Sequence, residues 1–166
     1  MTLTRRQAVD LLSRHGLAPS RSLGQNFFVD PNMVRRVARL AGVGPGDRVV
    51  EIGAGLGSLT LALVETGASV TAVEIDQNLI PVLRETLAGL DVEVVEGDAL
   101  ALDWGAVLAP APAWSLVANL PYNVATPLVL DLLDDVPRIT TMLVMVQREV
   151  GERLAAGPGD SAYGIP

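Results

Sequence analysis

An asparagine, a proline and a tyrosine stand close together in the segment Asn119-Leu120-Pro121-Tyr122, directly after an apolar run. The amide oxygen of Asn119 and the backbone carbonyl of Pro121 can accept hydrogen bonds from an exocyclic amine, and the ring of Tyr122 can stack on a flat base. The segment therefore predicts a site for an amine-bearing base, although an ordinary strand-to-helix turn can have the same composition.

Three other predicted strands end in groups that suit the remaining parts of a nucleoside. A loop with the spacing G-x-G-x-G, at Gly53, Gly55 and Gly57, lets the backbone approach a ligand closely. Glu74 ends the second strand, where an acid can accept from both ribose hydroxyls, and Asp98 ends the third, where a carboxylate can accept from an adenine amine. Because parallel sheets bind ligands at the carboxyl ends of their strands, we expect a nucleoside-type ligand there.

The residues that several other kinds of site require are missing from the sequence. Ser58 stands where a dinucleotide fingerprint has its third glycine, which disfavours an NAD dehydrogenase. The chain contains no lysine, which excludes a P-loop, and no cysteine, which excludes disulfides and thiolate zinc sites. No cluster of metal ligands stands out, so we expect no metal. The single histidine, His15, is expected on the surface of an N-terminal helix.

The elements that must position these residues alternate between strand and helix. The strand segments are short, continuous and rich in β-branched residues, which is typical of parallel strands buried on both faces. We predict strands at Arg48–Ile52, Ser69–Glu74, Val92–Glu96, Trp114–Asn119 and Thr141–Gln147. We predict helices from the Thr4 cap to about Arg14, from Asp30-Pro31 to Leu40, and at Ser58–Thr66, Gln77–Leu87 and Pro127–Leu133.

The predicted fold class is α/β, a Rossmann-like sheet of about five parallel strands. The last strand would leave an apolar edge at Thr141–Val146, and natural proteins avoid long apolar edges. We therefore expect a fragment whose remaining part continues the sheet.

Length and charge set broader limits. The 166 residues, 49% of them hydrophobic, are enough for one domain with a core, and no apolar run is long enough to span a bilayer. A cytoplasmic protein is the expectation. Residues 1–48 hold eight arginines against three acids, whereas residues 49–166 hold four arginines against sixteen acids. This asymmetry permits a basic face on an acidic body, or is a scatter of solvated charges.

Six motifs, in this order, resemble those of the ribosomal RNA adenine dimethyltransferases, which are S-adenosylmethionine-dependent enzymes of small-subunit biogenesis. The motifs are LGQNFF with Asp30, EIGAGLGSLT, VEID, GDAL, NLPYN and MVQREVGERL. The resemblance runs from about Arg21 to the last residue. It implies a methyltransferase sheet at 47–166 behind N-terminal helices and a cofactor-covering arm at 1–46. On this resemblance we expect the chain to be an N-terminal fragment without the final strands and the small C-terminal helical domain of the family, and such a fragment could be inactive alone.

The resemblance also implies roles for single residues. Phe28 stands where the family usually has leucine, and should still pack against apolar surface. The implied S-adenosylmethionine contacts are Asn26 and Phe28 from the arm, Gly53 under the methionine portion with Gly55 in the same loop, Glu74 at the ribose, Asp98 at the adenine and Asn119 beside both cofactor and target base. The implied catalytic residues are Asn119, Pro121 and Tyr122.

The implied function is N6,N6-dimethylation of two adjacent adenines in a small-subunit rRNA hairpin, on a pre-30S-type particle, by a monomer without metal or membrane. One alternative is the macrolide-resistance type, which methylates large-subunit rRNA with the same fold. Another, for this chain, is a non-catalytic module that binds cofactor or RNA. Exposed polar groups could face RNA phosphates or be ordinary helix surface: Arg5, Arg6, Arg35, Arg36, Arg39, Gln147, Arg148 and Arg153.

Overall fold

The computed structural model describes residues 2–18, 30–120 and 122–163, with 122 and 123 described by their backbone alone. The described residues form a five-stranded sheet in which every pair is parallel, in the order β3-β2-β1-β4-β5. The strands are β1 Arg48–Ile52, β2 Ser69–Glu74, β3 Val92–Glu96, β4 Trp114–Asn119 and β5 Ile139–Met145. The helices are α1 Arg5–Arg14, α2 Pro31–Leu40, α3 Ser58–Val64, α4 Ile80–Thr86, α5 Trp104–Val107, α6 Tyr122–Asp135 and α7 Arg148–Ala155.

The predicted bounds of the first four strands are confirmed, but those of the fifth were wrong. β5 lies two residues earlier than predicted because it pairs along the whole of β4, from Trp114 opposite Ile139 to Asn119 opposite Met145. Val146 and Gln147 lie beyond the last of these pairs. They are therefore not part of the strand, although the apolar run of the sequence continues to Val146. The outer side of β5 is the edge of the sheet, as the sequence predicted.

The predicted bounds of several helices were also wrong. α6 begins five residues before the predicted Pro127, which lies inside it. A proline removes one helical hydrogen bond, but burial of Leu128 and Leu132 in the core holds the segment. α4 begins only at Ile80, since Pro81 fits the first turn and residues 77–79 form a turn instead. α3 ends at Val64 rather than Thr66. The short α5 and α7 were not predicted as separate helices.

The two N-terminal helices have the predicted caps. Thr4 and Gln7 form a capping box at α1, and the Asp30 side chain accepts from the N–H of Asn32 at 2.9 Å at α2. His15, which was expected on the surface, is half-buried, and its Nε2 is 2.6 Å from Oε2 of Glu85, at the end of α4. α1 is therefore fixed to α4 by a polar contact as well as by apolar packing.

The core lies on both faces of the sheet. On one face α6 packs against β1 and β4 around Trp114, which is 2% exposed. On the other face α1, α3 and α4 pack together, and the same apolar cluster includes Ala54 and Leu56 of the glycine loop. The N-terminal helix thus supports the loop that the sequence assigned to the ligand. None of the described helices is long and apolar enough to cross a membrane.

Candidate functional site

The predicted site residues follow one another along the carboxyl edge of the sheet. Asp98 follows β3, Glu74 ends β2, the glycine loop follows β1 and Asn119 ends β4, which is the order of the strands themselves. A Cβ placed on Gly53 would lie 3.5 Å from the carbonyl oxygen of Asn119. The loop and the strand end that carries the amide are therefore direct neighbours.

The glycine loop has a backbone that other residues adopt only with strain. Its three glycines, Gly53, Gly55 and Gly57, have φ of 75°, 58° and 84°. The N–H groups of Gly53 and Ala54 both donate to the carbonyl of Val73, at 2.9 and 3.1 Å, which ties the loop to β2. A Cβ on Gly57 would meet Leu83 Cδ1 at 3.0 Å, so this glycine also permits close packing of the loop against α4.

Glu74 organises the loops around it. Its Oε2 accepts from the N–H of Gly55 at 2.7 Å, and its Oε1 accepts from the N–H groups of Ile75 and Asp76 at 3.0 and 2.9 Å. Since an ionised carboxylate offers about four acceptor positions, one remains for a ligand. Glu74 can thus accept from one ribose hydroxyl as it stands, and a second such bond requires that one backbone N–H be released.

Glu51 is the site residue that sequence reasoning missed. It is 1% exposed, and burial, together with the negative charge of Glu74, raises its pKa to about 8, although the Thr60 hydroxyl beside it opposes the rise. Among the described residues its Oε2 has no hydrogen-bond partner, and neither has the buried hydroxyl of Ser58. The signal in the sequence was an acid inside the apolar run RVVEI.

Asp98 and Asn119 occupy opposite ends of this edge. Asp98 is exposed, and its Oδ1 accepts from the N–H of Leu100 at 3.0 Å, which closes the turn after β3. Asn119 is half-buried at the end of β4, and its neighbour Leu120 donates to the carbonyl of Met145 at 3.2 Å. The turn after Asn119 thus begins between β1 and β5.

Part of the predicted site lies outside the described residues. Asn26, Phe28 and Pro121 are among those not described, and Tyr122 is described only as the first residue of α6. Within the described ranges no group of three or more His, Cys, Asp or Glu side chains could hold a metal ion.

A separate cleft of about 370 Å³ lies between α6 and the segment that contains α5. Its polar lining includes Asp103, Asp131 and Asp135. Three carboxylates would repel a phosphate backbone, so this cleft does not extend the candidate site toward RNA.

Comparison with known proteins gives a consistent family. The profile of the family described as ribosomal RNA adenine dimethylase matches residues 18–165. The chain is 52% identical to ribosomal RNA small subunit methyltransferase A of Leifsonia xyli, over 95% of this chain and 57% of that protein. It is 49% identical to the protein of the same name from Magnetococcus marinus, over 93% of this chain and 56% of that protein. The chain spans little more than half the length of these relatives.

Solved structures agree on the fold. A dimethyladenosine transferase from Plasmodium falciparum aligns with a TM-score of 0.69 at 30% identity, over 81% of this chain and 48% of that one. The 23S rRNA methyltransferase ErmE aligns with a TM-score of 0.67 at 33% identity, over 77% and 50%. The sheet is therefore the Rossmann-like sheet of S-adenosylmethionine-dependent methyltransferases, as predicted.

Proposed function

This chain belongs to the ribosomal RNA adenine dimethylase family, and we propose that it forms the cofactor-binding and catalytic part of an S-adenosylmethionine-dependent enzyme. Its substrate is a pair of adjacent adenines in small-subunit rRNA, each dimethylated at N6. The observation that carries the proposal is the closeness of Gly53 to the carbonyl oxygen of Asn119, which would lie 3.5 Å from a Cβ placed on Gly53, because it sets the proposed nucleoside-binding edge beside an amide that can orient an amine.

The described residues fit the cofactor. Glu74 keeps one acceptor position for a ribose hydroxyl, and Asp98 is exposed where an adenine amine can donate to it. Gly53 presents bare backbone beside β4 for the methionine portion, and two residues before it the buried Glu51 has an Oε2 without a partner among the described residues. Gly55, Asn26 and Phe28 complete the proposed contacts.

The mechanism requires orientation more than acid–base chemistry. The cofactor supplies a methyl group on a positively charged sulfur, which is already activated for transfer. Asn119 Oδ1 and the Pro121 carbonyl accept the two hydrogens of the adenine amine, which directs its lone pair and stabilises the positive charge that develops on nitrogen. Tyr122 stacks on the base, a contact that contributes about 1–3 kcal/mol in comparable sites. No strong base is required, because the nitrogen becomes acidic once it is methylated.

The small-subunit target is favoured over the large-subunit target by sequence identity. The two solved structures above, a dimethyladenosine transferase and a 23S rRNA methyltransferase, resemble the chain almost equally, with TM-scores of 0.69 and 0.67. The two relatives that are 52% and 49% identical to the chain are both named as ribosomal RNA small subunit methyltransferases. We therefore propose that the enzyme acts in the cytoplasm on a pre-30S-type particle, as a monomer and without metal.

The side chains of Arg5, Arg6, Arg35, Arg36 and Arg39 are exposed on α1 and α2, and we propose that they contribute to an RNA-facing rim. On α7, Arg148 is bound to Glu152 at 2.7 Å. That pairing leaves Gln147 and Arg153 as the freer candidates at the other end of the sheet edge.

The test is methyl transfer by the Asn119→Ala variant. We expect transfer from S-adenosylmethionine to small-subunit particles to fall by about 100-fold or more, as for the loss of one oriented hydrogen-bonding group elsewhere, while calorimetry shows cofactor affinity within several fold. Asn32→Ala, an exposed asparagine on α2, should retain the transfer rate. Normal turnover by the Asn119 variant would refute the assigned role, and transfer only to large-subunit RNA would favour the macrolide-resistance type.

One observation favours a second candidate function. Because the chain spans little more than half of its relatives, it can act as a non-catalytic module that binds cofactor or RNA. Calorimetric binding of S-adenosylmethionine without transfer to any ribosomal substrate, by a well-folded chain, would favour this module. Transfer by the chain would exclude it.

A further inference from the structure

Glu51 is a buried acid that the proposed mechanism does not use. Its side chain is 1% exposed, and its Oε2 has no hydrogen-bond partner among the described residues. Buried polar atoms are nearly always hydrogen-bonded, so an exception in a site needs an explanation. The hydroxyl of Ser58, at the start of α3, is also buried and without a partner among the described residues. The described residues therefore leave polar groups without partners in this region.

The sheet register places Glu51 beneath the ligand edge. Glu51 stands opposite Ala72 on β2 and Val117 on β4. Side chains two residues apart on a strand share a face, so Glu51 shares its face with Glu74 and Asn119, one step further along those strands. It also lies two residues before Gly53, where the ligand edge begins.

Among the described residues, the groups that surround Glu51 offer no compensating positive charge. On β2, the negative charge of Glu74 raises the pKa of Glu51. β4 presents Val117 and Asn119, and α3 presents Ser58 and Thr60, all of them neutral. The arginines of α2, which packs on α3, are exposed to solvent: Arg35, Arg36 and Arg39. Burial and Glu74 therefore hold the pKa of Glu51 at about 8, which makes it a neutral acid at pH 7.

We propose that Glu51 senses the charge of the ligand: it is neutral in the free protein and gives up its proton to solvent on binding of a sulfonium cation. The O–H bond of the carboxyl breaks, and the negative charge that remains is balanced by the ligand's positive charge. A neutral thioether offers no such charge, so Glu51 keeps its proton beside it. The residue thereby favours the methyl donor over the demethylated product. This inference rests on the proposed function.

Linkage makes the effect measurable. A ligand that lowers the pKa of Glu51 must bind more tightly when Glu51 is deprotonated. The ratio of affinities for S-adenosylmethionine and S-adenosylhomocysteine should therefore rise with pH by up to about tenfold per unit below the pKa of about 8, and level off above it. The sulfonium lowers the pKa of the nearby ammonium of S-adenosylmethionine, so the ratio in Glu51→Gln is the reference against which the titration of Glu51 is measured.

The experiment is calorimetry of this chain with both ligands at about pH 7, in two buffers of different ionisation enthalpy. The wild-type chain should release close to one more proton with S-adenosylmethionine than with S-adenosylhomocysteine, whereas Glu51→Gln should show no difference. Glu96→Gln, an exposed glutamate at the end of β3, should behave as wild type. Equal proton release by the wild-type chain, or a difference that persists in Glu51→Gln, would overturn the inference.

A second measurement does not depend on the folding of a variant. The affinity ratio of the wild-type chain is measured between about pH 6 and about pH 8.5, and a flat ratio overturns the role of Glu51. If both ligands bind but the ratio is flat, the proposed function stands and only the charge sensing fails. If neither ligand binds at any pH, the proposed function fails, and the inference fails with it.

Discussion

The two sides of the central strand β1 differ in how completely this chain covers them. On the side of the glycine loop, five of the six residues of β2 are buried, and α1 packs over the loop. On the side of Asn119, only Ile139 of the seven residues of β5 is buried, and α7 buries none of its residues. We call these sides the cofactor half, 48–96 with α1, and the target half, 114–155.

The difference has a physical basis. In the cofactor half the polar groups that shape the site are backbone N–H groups held by Glu74 and by the carbonyl of Val73. These bonds join neighbouring strands and loops, so they form with the sheet itself. The amide turn of the target half instead follows a strand whose outer neighbour is the sheet edge. The described residues therefore surround the edge at Glu74 and the glycine loop more fully than they surround the amide turn.

Among substitutions that test the difference between the two halves, Glu74→Ala should have the largest effect on stability and on cofactor binding. The variant leaves three backbone donors without their acceptor, and since each unsatisfied donor costs about 1–3 kcal/mol when buried, we expect a loss of about 3–4 kcal/mol in the free energy of unfolding. Binding of S-adenosylmethionine should fall below detection. Urea unfolding and calorimetry measure the two effects.

The matched control for Glu74 is Glu96, which stands directly opposite it on β3 and is exposed. Glu96→Ala should change the free energy of unfolding by less than about 0.5 kcal/mol and leave binding unchanged. If the two variants lost similar stability, the carboxylate of Glu74 would not be what organises the cofactor half.

A pair of equal substitutions compares the packing of the two halves directly. Val50 on β1 is 0% exposed and Val144 on β5 is half-buried, and both touch the same core cluster. We expect Val50→Ala to lower the free energy of unfolding by about 2 kcal/mol and Val144→Ala by less than about 1 kcal/mol, because the removed methyl groups differ in burial. Urea unfolding of both variants measures the difference. Equal losses would show that β5 is as well packed as β1.

How far the sequence predicts the molecule also differs between the halves. The bounds of β1, β2 and β4 followed from nearly continuous apolar runs, because strands that are buried on both faces are apolar at most positions. At the sheet edge that rule fails: the run continues to Val146, while β5 ends at Met145 where its partner ends. Pro127 similarly suggested a helix start, but the burial of residues on either side of it decided otherwise.

For the site, the sequence predicted where the side chains lie but not how many of their hydrogen-bonding positions are already occupied. It placed Glu74 and Asp98 at strand ends, and the structure brings them to one edge. It could not show that Glu74 already accepts from three N–H groups, because these come from two loops. Nor could it single out Glu51, since its unpartnered oxygen depends on the register of three strands and on the position of α3.

The effect of pH on stability isolates Glu51 in the cofactor half. Its pKa is about 8 in the folded chain against the model-compound value of 4.5, so the folded state holds more protons between these values. Stability should therefore fall as pH rises from about 4.5 to about 8, by up to about 1.4 kcal/mol per unit, and then level off. In Glu51→Gln this contribution is absent, and urea unfolding of both proteins at several pH values measures it. Parallel curves for the two proteins would contradict the buried, neutral state.

The smallest effect should come from the contact that fixes α1. Glu85 lies 2.6 Å from His15 and 2.6 Å from Arg14. The hydrogen bond with His15, and then the charge of Arg14, lower the pKa of Glu85. Because the folded state has the lower value, its contribution is present above the unfolded pKa and is lost as pH falls through the folded one. Glu85→Gln should thus shift the urea midpoint slightly at neutral pH and not at all in acid.

The control for Glu85 is Asp91→Asn, an exposed acid in the loop before β3, which should leave the midpoint unchanged at either pH. High salt should reduce the Glu85 effect, since this contact is partly exposed and is screened. The effect should stay small because Leu11 and Leu12 of α1 are buried against the cluster that contains the glycine loop. If a Glu85 variant lost cofactor binding, this small effect would be the wrong expectation. The ionic contact between Glu85 and the end of α1 would then be necessary to hold the cofactor half together.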